Sequence, residues 1–326
     1  MSDISFKDRV VIVTGAGGGL GKSYALEMAK RGGAVVVNDL GGSVDGPGGS
    51  SKMADAVVEE ILAAGGRAIA NYDSVATWAG AQRIAAAAIK AFGRIDALIN
   101  NAGNMRYKPF EECSADDLNA LLSVHLMGTF NMAKAVWPHM KAQGYGRIVS
   151  TSSSAGMYGD ENYSCYGAAK AGVTGLMNVL AHEGEAHGIL CNVMMPNAMT
   201  RMTDMVSAQM GAEDVDRSRA MMAAVQNSMS PDFNAGLVVY LASSACSTTH
   251  MVYSSCGGRM ARVLIGATDG WQGSKEIPAA AEDIAAHFDE ITDLARGVHT
   301  PKSPGDEWRI VLSKADPVIP AGKASL

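Results

Sequence analysis

Val10-Val11-Ile12-Val13-Thr14-Gly15-Ala16-Gly17-Gly18-Gly19-Leu20-Gly21 is the stretch that decides the fold. Its first five residues are apolar and mostly β-branched, as a strand buried on both faces requires. The run passes directly into glycines, after which a helical pattern begins with Leu20, Tyr24, Leu26, Met28 and Ala29. Glycine permits a tight turn and lets the backbone approach a pyrophosphate, while the free amides of a helix N-terminus face the anion. Gly15, Gly19 and Gly21 read G-x-x-x-G-x-G, not the G-x-G-x-x-G of the longer dinucleotide-binding fingerprint. A glycine-rich loop of no function is the plain alternative. The strand before it, the helix after it and the acid that closes the next strand argue against that.

The next apolar run, Ala34-Val35-Val36-Val37-Asn38-Asp39, ends on an acid eighteen residues beyond Gly21. A carboxylate there accepts from the ribose hydroxyls of an adenosine and repels a 2′-phosphate. No Arg or Lys lies between Gly15 and Gly19, and Lys22 reads as a solvated residue of the first helical turn. NAD is therefore expected in preference to NADP. Further strands are predicted at 67–73, 95–101, 147–151 and 189–195, the third strand closing on Asp73, which could face the adenine amino group. Helical stretches fall between them at 51–64, 77–92, 115–140 and 162–187. Ser114-x-x-Asp117 resembles a capping box, and Ser230-Pro231 an N-cap followed by proline at N1. The expected class is α/β, a single doubly wound Rossmann-type parallel sheet with helices on both faces and a C-terminal extension. The expected bounds are 1–256 for that domain, including a lid at 197–230, and 257–326 for an extension packed on it.

Tyr166 and Lys170 stand four residues apart, and Ser153 lies thirteen before the tyrosine. On a helix that spacing puts phenol and ammonium on one face. A nearby cation favours the phenolate and should lower a tyrosine pKa from its usual ~10. A serine beside them can hydrogen-bond an alcohol or carbonyl oxygen, so the three can move a proton on and off a secondary alcohol. YxxxK alone is weak, since a surface ion pair looks the same. Tyr163 is a decoy, having Gly167 where a cation would be needed.

Gly15 to Gly21, Asn100-Asn101-Ala102-Gly103, Ser153, Tyr166 and Lys170, in that order, resemble the short-chain dehydrogenase/reductase family. VVVNDLGG at 35–42, NYDSV at 71–75, Val124-His125-Leu126, Tyr145-Gly146-Arg147-Ile148 and Pro196-Asn197-Ala198 are similar to one branch of it, the dehydrogenase part of multifunctional enzyme type 2. The resemblance spans residue 5 to about 202 and returns more faintly from 231 to near 312. It implies a D-specific 3-hydroxyacyl-CoA or 17β-hydroxysteroid dehydrogenase. In it the tyrosine transfers the proton, the serine orients the substrate oxygen, and the lysine holds the nicotinamide ribose. The implied NAD contacts are Gly15, Gly17, Gly19, Leu20, Gly21, Asp39, Asp73, Ser74, Asn101, Ala102, Gly103, Pro196, Tyr166 and Lys170. Most of the family has asparagine where this chain and that branch have His125, so His125 joins the candidate catalytic set. The segment 203–230 is longer than its counterpart in the branch.

Nine of the twenty methionines fall between Met194 and Met229. Methionine builds adaptable apolar surfaces, though core filling serves as well for any one of them. The clustering leads us to expect a broad apolar substrate pocket that uses Ser153, Met199, Met202 and Met205. Arg201, Arg217 and Arg219 against Asp204, Glu213, Asp214 and Asp216 form no clear anion site for a CoA tail. Net charge is −6 with no basic patch, which points away from nucleic acid and acidic membrane surfaces. The five cysteines form no CxxC pair, so neither a disulfide framework nor a metal site is expected. Without a membrane-length apolar run or a signal-peptide start, and with Ala-Ser-Leu in place of a Ser-Lys-Leu ending, a cytoplasmic enzyme is expected. The apolar stretches of 115–140 and 162–187 exceed what one sheet face needs, so a homodimer or homotetramer is expected. A non-catalytic NAD-binding regulator is the rival reading, against which the complete Ser-Tyr-Lys set speaks. An enoyl reductase is disfavoured by the regular tyrosine-lysine spacing.

Overall fold

The computed structural model describes residues 3–45 and 48–313, with the side chains of residues 212, 214, 218, 219, 221 and 222 left aside. The terminal Ala-Ser-Leu, Gly46 and Pro47, and the charged groups of Asp214 and Arg219 lie outside the described residues. Val10–Thr14 forms β1, and all five of its residues are buried. It is followed by β2 (Ala34–Asn38), β3 (Arg67–Asn71), β4 (Ala97–Asn100), β5 (Gly146–Thr151), β6 (Ile189–Pro196), β7 (Met251–Cys256) and β8 (Arg259–Val263). These make one sheet in the order β3-β2-β1-β4-β5-β6-β7-β8. Every pair from β3 to β7 is parallel. The two-residue link to β8, Gly257-Gly258, is left-handed at both positions (φ 56° and 80°), a hairpin turn that only an antiparallel neighbour allows.

The helices are α1 (Gly19–Lys30), α2 (Lys52–Ala63), α3 (Trp78–Phe92), α4 (Ala115–Gln143), α5 (Ser154–Met157), α6 (Ser164–Glu185), α7 (Arg201–Gln209), α8 (Ala212–Ala223) and α9 (Asp232–Ala242). Tyr24, Met28, Val57, Ile61 and Val238 of α1, α2 and α9 pack on Val11, Val13, Val35 and Val37. Side chains alternate along a strand, so Ile12, Val36 and Leu98 face the other side, where α3, α4 and α6 pack. The Ser114 capping box forms: Ser114 Oγ accepts from Asp117 N at 3.1 Å, and Asp117 Oδ2 accepts from Ser114 N at 3.1 Å. At α9 the start is one residue later than the Ser-Pro pair predicts, with Pro231 as the cap.

β7 and β8 were not foreseen, and the sheet runs past the expected domain end at 256. The described residues divide into two compact units, the break falling between Arg262 and Val263. The second unit holds a short antiparallel pair, β9 (Ala267–Thr268) with β10 (Val298–His299), and helices α10 (Ala281–Ala286), α11 (Phe288–Thr292) and α12 (Pro304–Ser313). Among the described residues no helix is long and apolar enough to cross a membrane.

The order of strands reverses between β1 and β4, and their carboxyl ends frame the crevice where doubly wound sheets bind ligands. Thr14 ties the two ends together. Its Oγ1 accepts from the amides of Asn101 and Ala102 at 3.0 and 3.1 Å. Asn101 returns its side-chain amide to Thr14 O at 3.0 Å and Gly15 O at 3.1 Å.

Candidate active site

The turn after β1 needs glycine for two separable reasons. Gly15 and Gly19 adopt φ of +63° and +51°, where a side chain strains the backbone. Gly21 has no such need, but a methyl group on it would lie 2.2 Å from Gly15 O. Gly18 begins α1 without a side-chain cap, leaving the first amides free for an anion. Gly15, Gly18, Gly19 and Leu20 line a cavity of about 600 Å³; Gly17 and Gly21, expected among the contacts, do not. Gly17 instead donates its amide to Asp39 Oδ2 at 2.8 Å. Packing between the turn, Asp39 and Met53 requires glycine there, since an added Cβ would sit 2.8 Å from both.

Asp39 stands at the end of β2 and faces the same cavity. Its second oxygen accepts from Gly41 N at 2.7 Å, so both oxygens are fixed in place. Asp73 and Ser74 line the cavity farther along. Strand β3 stops at Asn71, short of the predicted 73, and Asp73 is already paired to Arg83 Nε at 2.6 Å. Loop residues Leu40, Gly42, Ser43 and Val44 close this end of the wall.

Ser153, Tyr166 and Lys170 come from two elements and meet on the cavity wall with Asn101, Ala102, Gly103 and Pro196. Ser153 caps α5, its Oγ accepting from Ala155 N at 3.2 Å. Tyr166 and Lys170 are buried one turn apart on α6. Gly156 lets α5 lie against α6, because a methyl group there would meet Lys170 Cβ at 2.8 Å. Lys170 donates to Thr151 O at 2.7 Å, and its carbonyl accepts from Ser152 Oγ at 2.9 Å. The ammonium lies 5.6 Å from the centre of the Tyr166 ring.

Here the electrostatics correct the sequence expectation. Burial pushes the Tyr166 phenol up to about 12, and only the Ser153 hydrogen bond pulls it back. Burial likewise brings the Lys170 ammonium down to about 7. Desolvation by burial is the largest cause for both groups, and it opposes the charged form of each.

His125 is buried in α4, and its ring meets the Tyr166 ring edge-on at 5.3 Å and 90°. Nε2 lies 2.8 Å from Asn104 O and 3.3 Å from Asn104 N. The shorter contact is to the carbonyl, which makes Nε2–H the donor. Nδ1 has no partner among the described residues, nor does the buried Asn104 Oδ1. Burial first and Lys170 second keep His125 well below the ordinary histidine range, so it is neutral. Gly103 makes room for it: a methyl group there would come 2.5 Å from His125 Cε1.

Of the lid methionines expected to meet substrate, Met202 lines the cavity, but Met199 and Met205 do not. Met199 is 43% exposed, and Met205 packs against the cluster around Leu121 and Tyr166. Helical spacing explains the difference: Met202, Val206 and Met210 share one face of α7 and its cap. Sequence reasoning missed Met105, Tyr107, Tyr163, Val206 and Met210 as apolar wall. Tyr163, set aside for want of a lysine, packs edge-on to Tyr107 at 5.1 Å. The i+4 and i+8 positions from Met202 carried a usable signal, while Tyr107 sits in no motif.

The short chain dehydrogenase family model matches residues 9–214. The chain is 40% identical over 295 residues to mouse (Mus musculus) peroxisomal multifunctional enzyme type 2, covering 90% of this chain and 38% of that one. The full-length Drosophila melanogaster peroxisomal multifunctional enzyme type 2 structure superposes with a TM-score of 0.75 at 30% identity, over 95% of this chain and 50% of that one. A 7α-hydroxysteroid dehydrogenase complexed with NADH and 7-oxo glycochenodeoxycholic acid superposes with a TM-score of 0.70 at 26% identity, over 79% and 98%. This chain thus spans half or less of the length of the two multifunctional relatives. With the matched span covering the glycine turn, the acid after β2 and the serine, tyrosine and lysine, the chain belongs to the short chain dehydrogenase family and is an oxidoreductase of the alcohol dehydrogenase type.

Proposed function

We propose that this protein interconverts a secondary alcohol and a ketone on a largely apolar substrate, a hydroxysteroid or a 3-hydroxyacyl thioester, with NAD(H). One observation carries the reading: Ser153, Tyr166 and Lys170 share a cavity of about 600 Å³ with the glycine turn and Asp39. The residues present fit a dinucleotide. The uncapped amides at Gly18 suit a pyrophosphate, Gly15 and Gly19 leave their surface bare, and Asp39 presents two fixed acceptors to a ribose diol. The same carboxylate repels a 2′-phosphate, which favours NAD. NADH is bound in the related 7α-hydroxysteroid dehydrogenase.

When bound, NAD(H) supplies the hydride acceptor or donor. The remaining work falls to this chain. Tyr166 stays protonated at neutral pH, with its phenol pushed up to about 12, and so is ready to give a proton to a ketone oxygen. In the oxidative direction it takes the proton from the alcohol, a step that higher pH favours. Ser153 hydrogen-bonds the same substrate oxygen and orients it. Lys170, anchored on Thr151 O at 2.7 Å, reaches the nicotinamide ribose and, once protonated, stabilises the phenolate. Among the described residues His125 Nδ1 and Asn104 Oδ1 have no partner, two buried acceptors that would suit a water passing the proton onward. Met105, Tyr107, Tyr163, Met202, Val206 and Met210 form the apolar wall that receives the substrate.

The reading includes a homodimer and a cytoplasmic location. The former is supported by Met127 and Phe130 on α4 and Val179 on α6, which are 48%, 40% and 55% exposed. The latter is compatible with five free cysteines, which suit any reducing compartment. A panel of hydroxysteroids, 3-hydroxyacyl-CoAs and aryl carbinols, screened for NAD reduction, tests the proposal. Turnover of at least one apolar secondary alcohol is expected. Absence of NAD reduction with every class would overturn it.

A further inference from the structure

Resting on the NAD reading, we infer that Arg201 is a pyrophosphate clamp carried by the lid, so that the helix walling the substrate side also grips the cofactor. A dinucleotide brings two negative charges to the turn after β1, yet residues 15–21 contain no cation. Lys22, the nearest along the chain, is engaged elsewhere, with Nζ 2.8 Å from Glu60 Oε2. The cation that reaches the turn comes from across the cavity. A methyl group placed on Gly18 would lie 3.7 Å from Arg201 Nη2, and one on Gly19 would lie 3.5 Å from Thr200 Cγ2. The guanidinium therefore stands beside the uncapped start of α1, where the pyrophosphate is expected.

Arg201 is positioned from both ends. Its backbone opens α7, where Thr200 N donates to Thr203 Oγ1 at 3.1 Å and Thr203 Oγ1 donates to Ala198 O at 3.0 Å. Its Nη1 lies against Met53 Sδ at 3.7 Å, a thioether that steers the side chain without taking up its charge. Among the described residues no carboxylate pairs with it. Five N–H donors on a planar fork suit phosphate oxygens better than an ammonium does. The next residue, Met202, and then Val206 line the substrate part of the cavity. Engaging the pyrophosphate thus seats the start of α7, and with it one wall of the substrate pocket.

The test is equilibrium binding, followed by tryptophan fluorescence or calorimetry, for wild type, Arg201→Ala and Arg201→Lys. The probes are NAD, ADP-ribose and adenosine. Arg201→Ala should weaken NAD and ADP-ribose by about tenfold or more, as loss of a charged hydrogen bond does, and leave adenosine within about twofold. Arg201→Lys should recover part of the loss, and the salt dependence of NAD binding should flatten in Arg201→Ala. Hydrogen exchange over residues 201–209 should slow on adding NAD to wild type and not to Arg201→Ala. Unchanged NAD affinity in Arg201→Ala would overturn the inference. So would an equal loss of adenosine, which would mark a structural defect, or a rise in the KM for an acyl-CoA alone. Failure of wild type to bind NAD would instead defeat the proposed function, so the two outcomes are separate.

Discussion

Replacing Lys170 with methionine should change how folding stability depends on pH, by an amount the structure sets. Burial brings the Lys170 ammonium from 10.5 down to about 7. At ~1.4 kcal/mol per pH unit, the whole interval corresponds to a few kcal/mol, on the order of 5 at most. Between those two values the unfolded chain carries a proton that the folded chain lacks, so the stability of wild type rises with pH. The lowered pKa makes its contribution full above the unfolded value and lost as pH falls toward the folded one. Methionine keeps the length and apolar stem but cannot titrate. It also removes the donor to Thr151 O, a cost of about 1–3 kcal/mol that is the same at every pH. Urea denaturation of the ligand-free proteins at pH 7.5 and 9 separates the two effects. Relative to wild type, Lys170→Met should be about 2 kcal/mol more favourable at the lower pH than at the higher, while alcohol oxidation is lost. Parallel stability curves for the two proteins would refute the buried, readily deprotonated lysine on which the site's electrostatics rest.

Further expectations follow from the same geometry. Asp39→Ala removes the repulsion of a 2′-phosphate and should narrow the NAD over NADP preference in kcat/KM by about 1–3 kcal/mol. Equal use of both cofactors by wild type would contradict this. Gly103→Ala puts a methyl group 2.5 Å from His125 Cε1 and should cut kcat, because the ring it displaces abuts Tyr166. His125→Asn should keep substantial activity and His125→Leu should lose much of kcat without unfolding. Since burial holds His125 well below the ordinary histidine range, the kcat profile should show no step near the usual histidine pKa that His125→Asn removes. Normal turnover in His125→Leu would reduce the residue to packing. Light scattering at micromolar concentration should report a dimer or larger.

The elements that frame the cofactor crevice were legible because local chemistry dictates them. A β-branched run leading into Gly15 and Gly19 has few ways to fold, and positive φ at those two positions supplies the physical reason. Ser114 and Asp117 announced a helix start that the structure reproduces. Contacts made across the fold were harder to read. Nothing local shows that Gly17 serves Asp39, or that Tyr107 lies against Tyr163. The methionine cluster misled in part for the same reason. Met194, Met195 and Met229 are buried in the core, whereas Met202 and Met210 face the cavity, a sorting that depends on strand and helix faces. The pKa of Tyr166 could not follow from an i+4 lysine either. Spacing gives proximity, but burial, a property of the whole fold, decides the sign.

Proton transfer is assigned to Tyr166, and a comparison of Tyr166→Phe with Tyr163→Phe separates it from its neighbour. The two rings lie 6.0 Å apart on the same wall, so each variant controls for the other's packing. Steady-state turnover of the best alcohol in the substrate panel, measured beside NAD binding, is the readout. Tyr166→Phe should lower kcat by about 10²-fold or more with NAD affinity nearly unchanged, whereas Tyr163→Phe should act mainly on KM. Near-wild-type turnover in Tyr166→Phe, with activity abolished in Tyr163→Phe, would contradict the account.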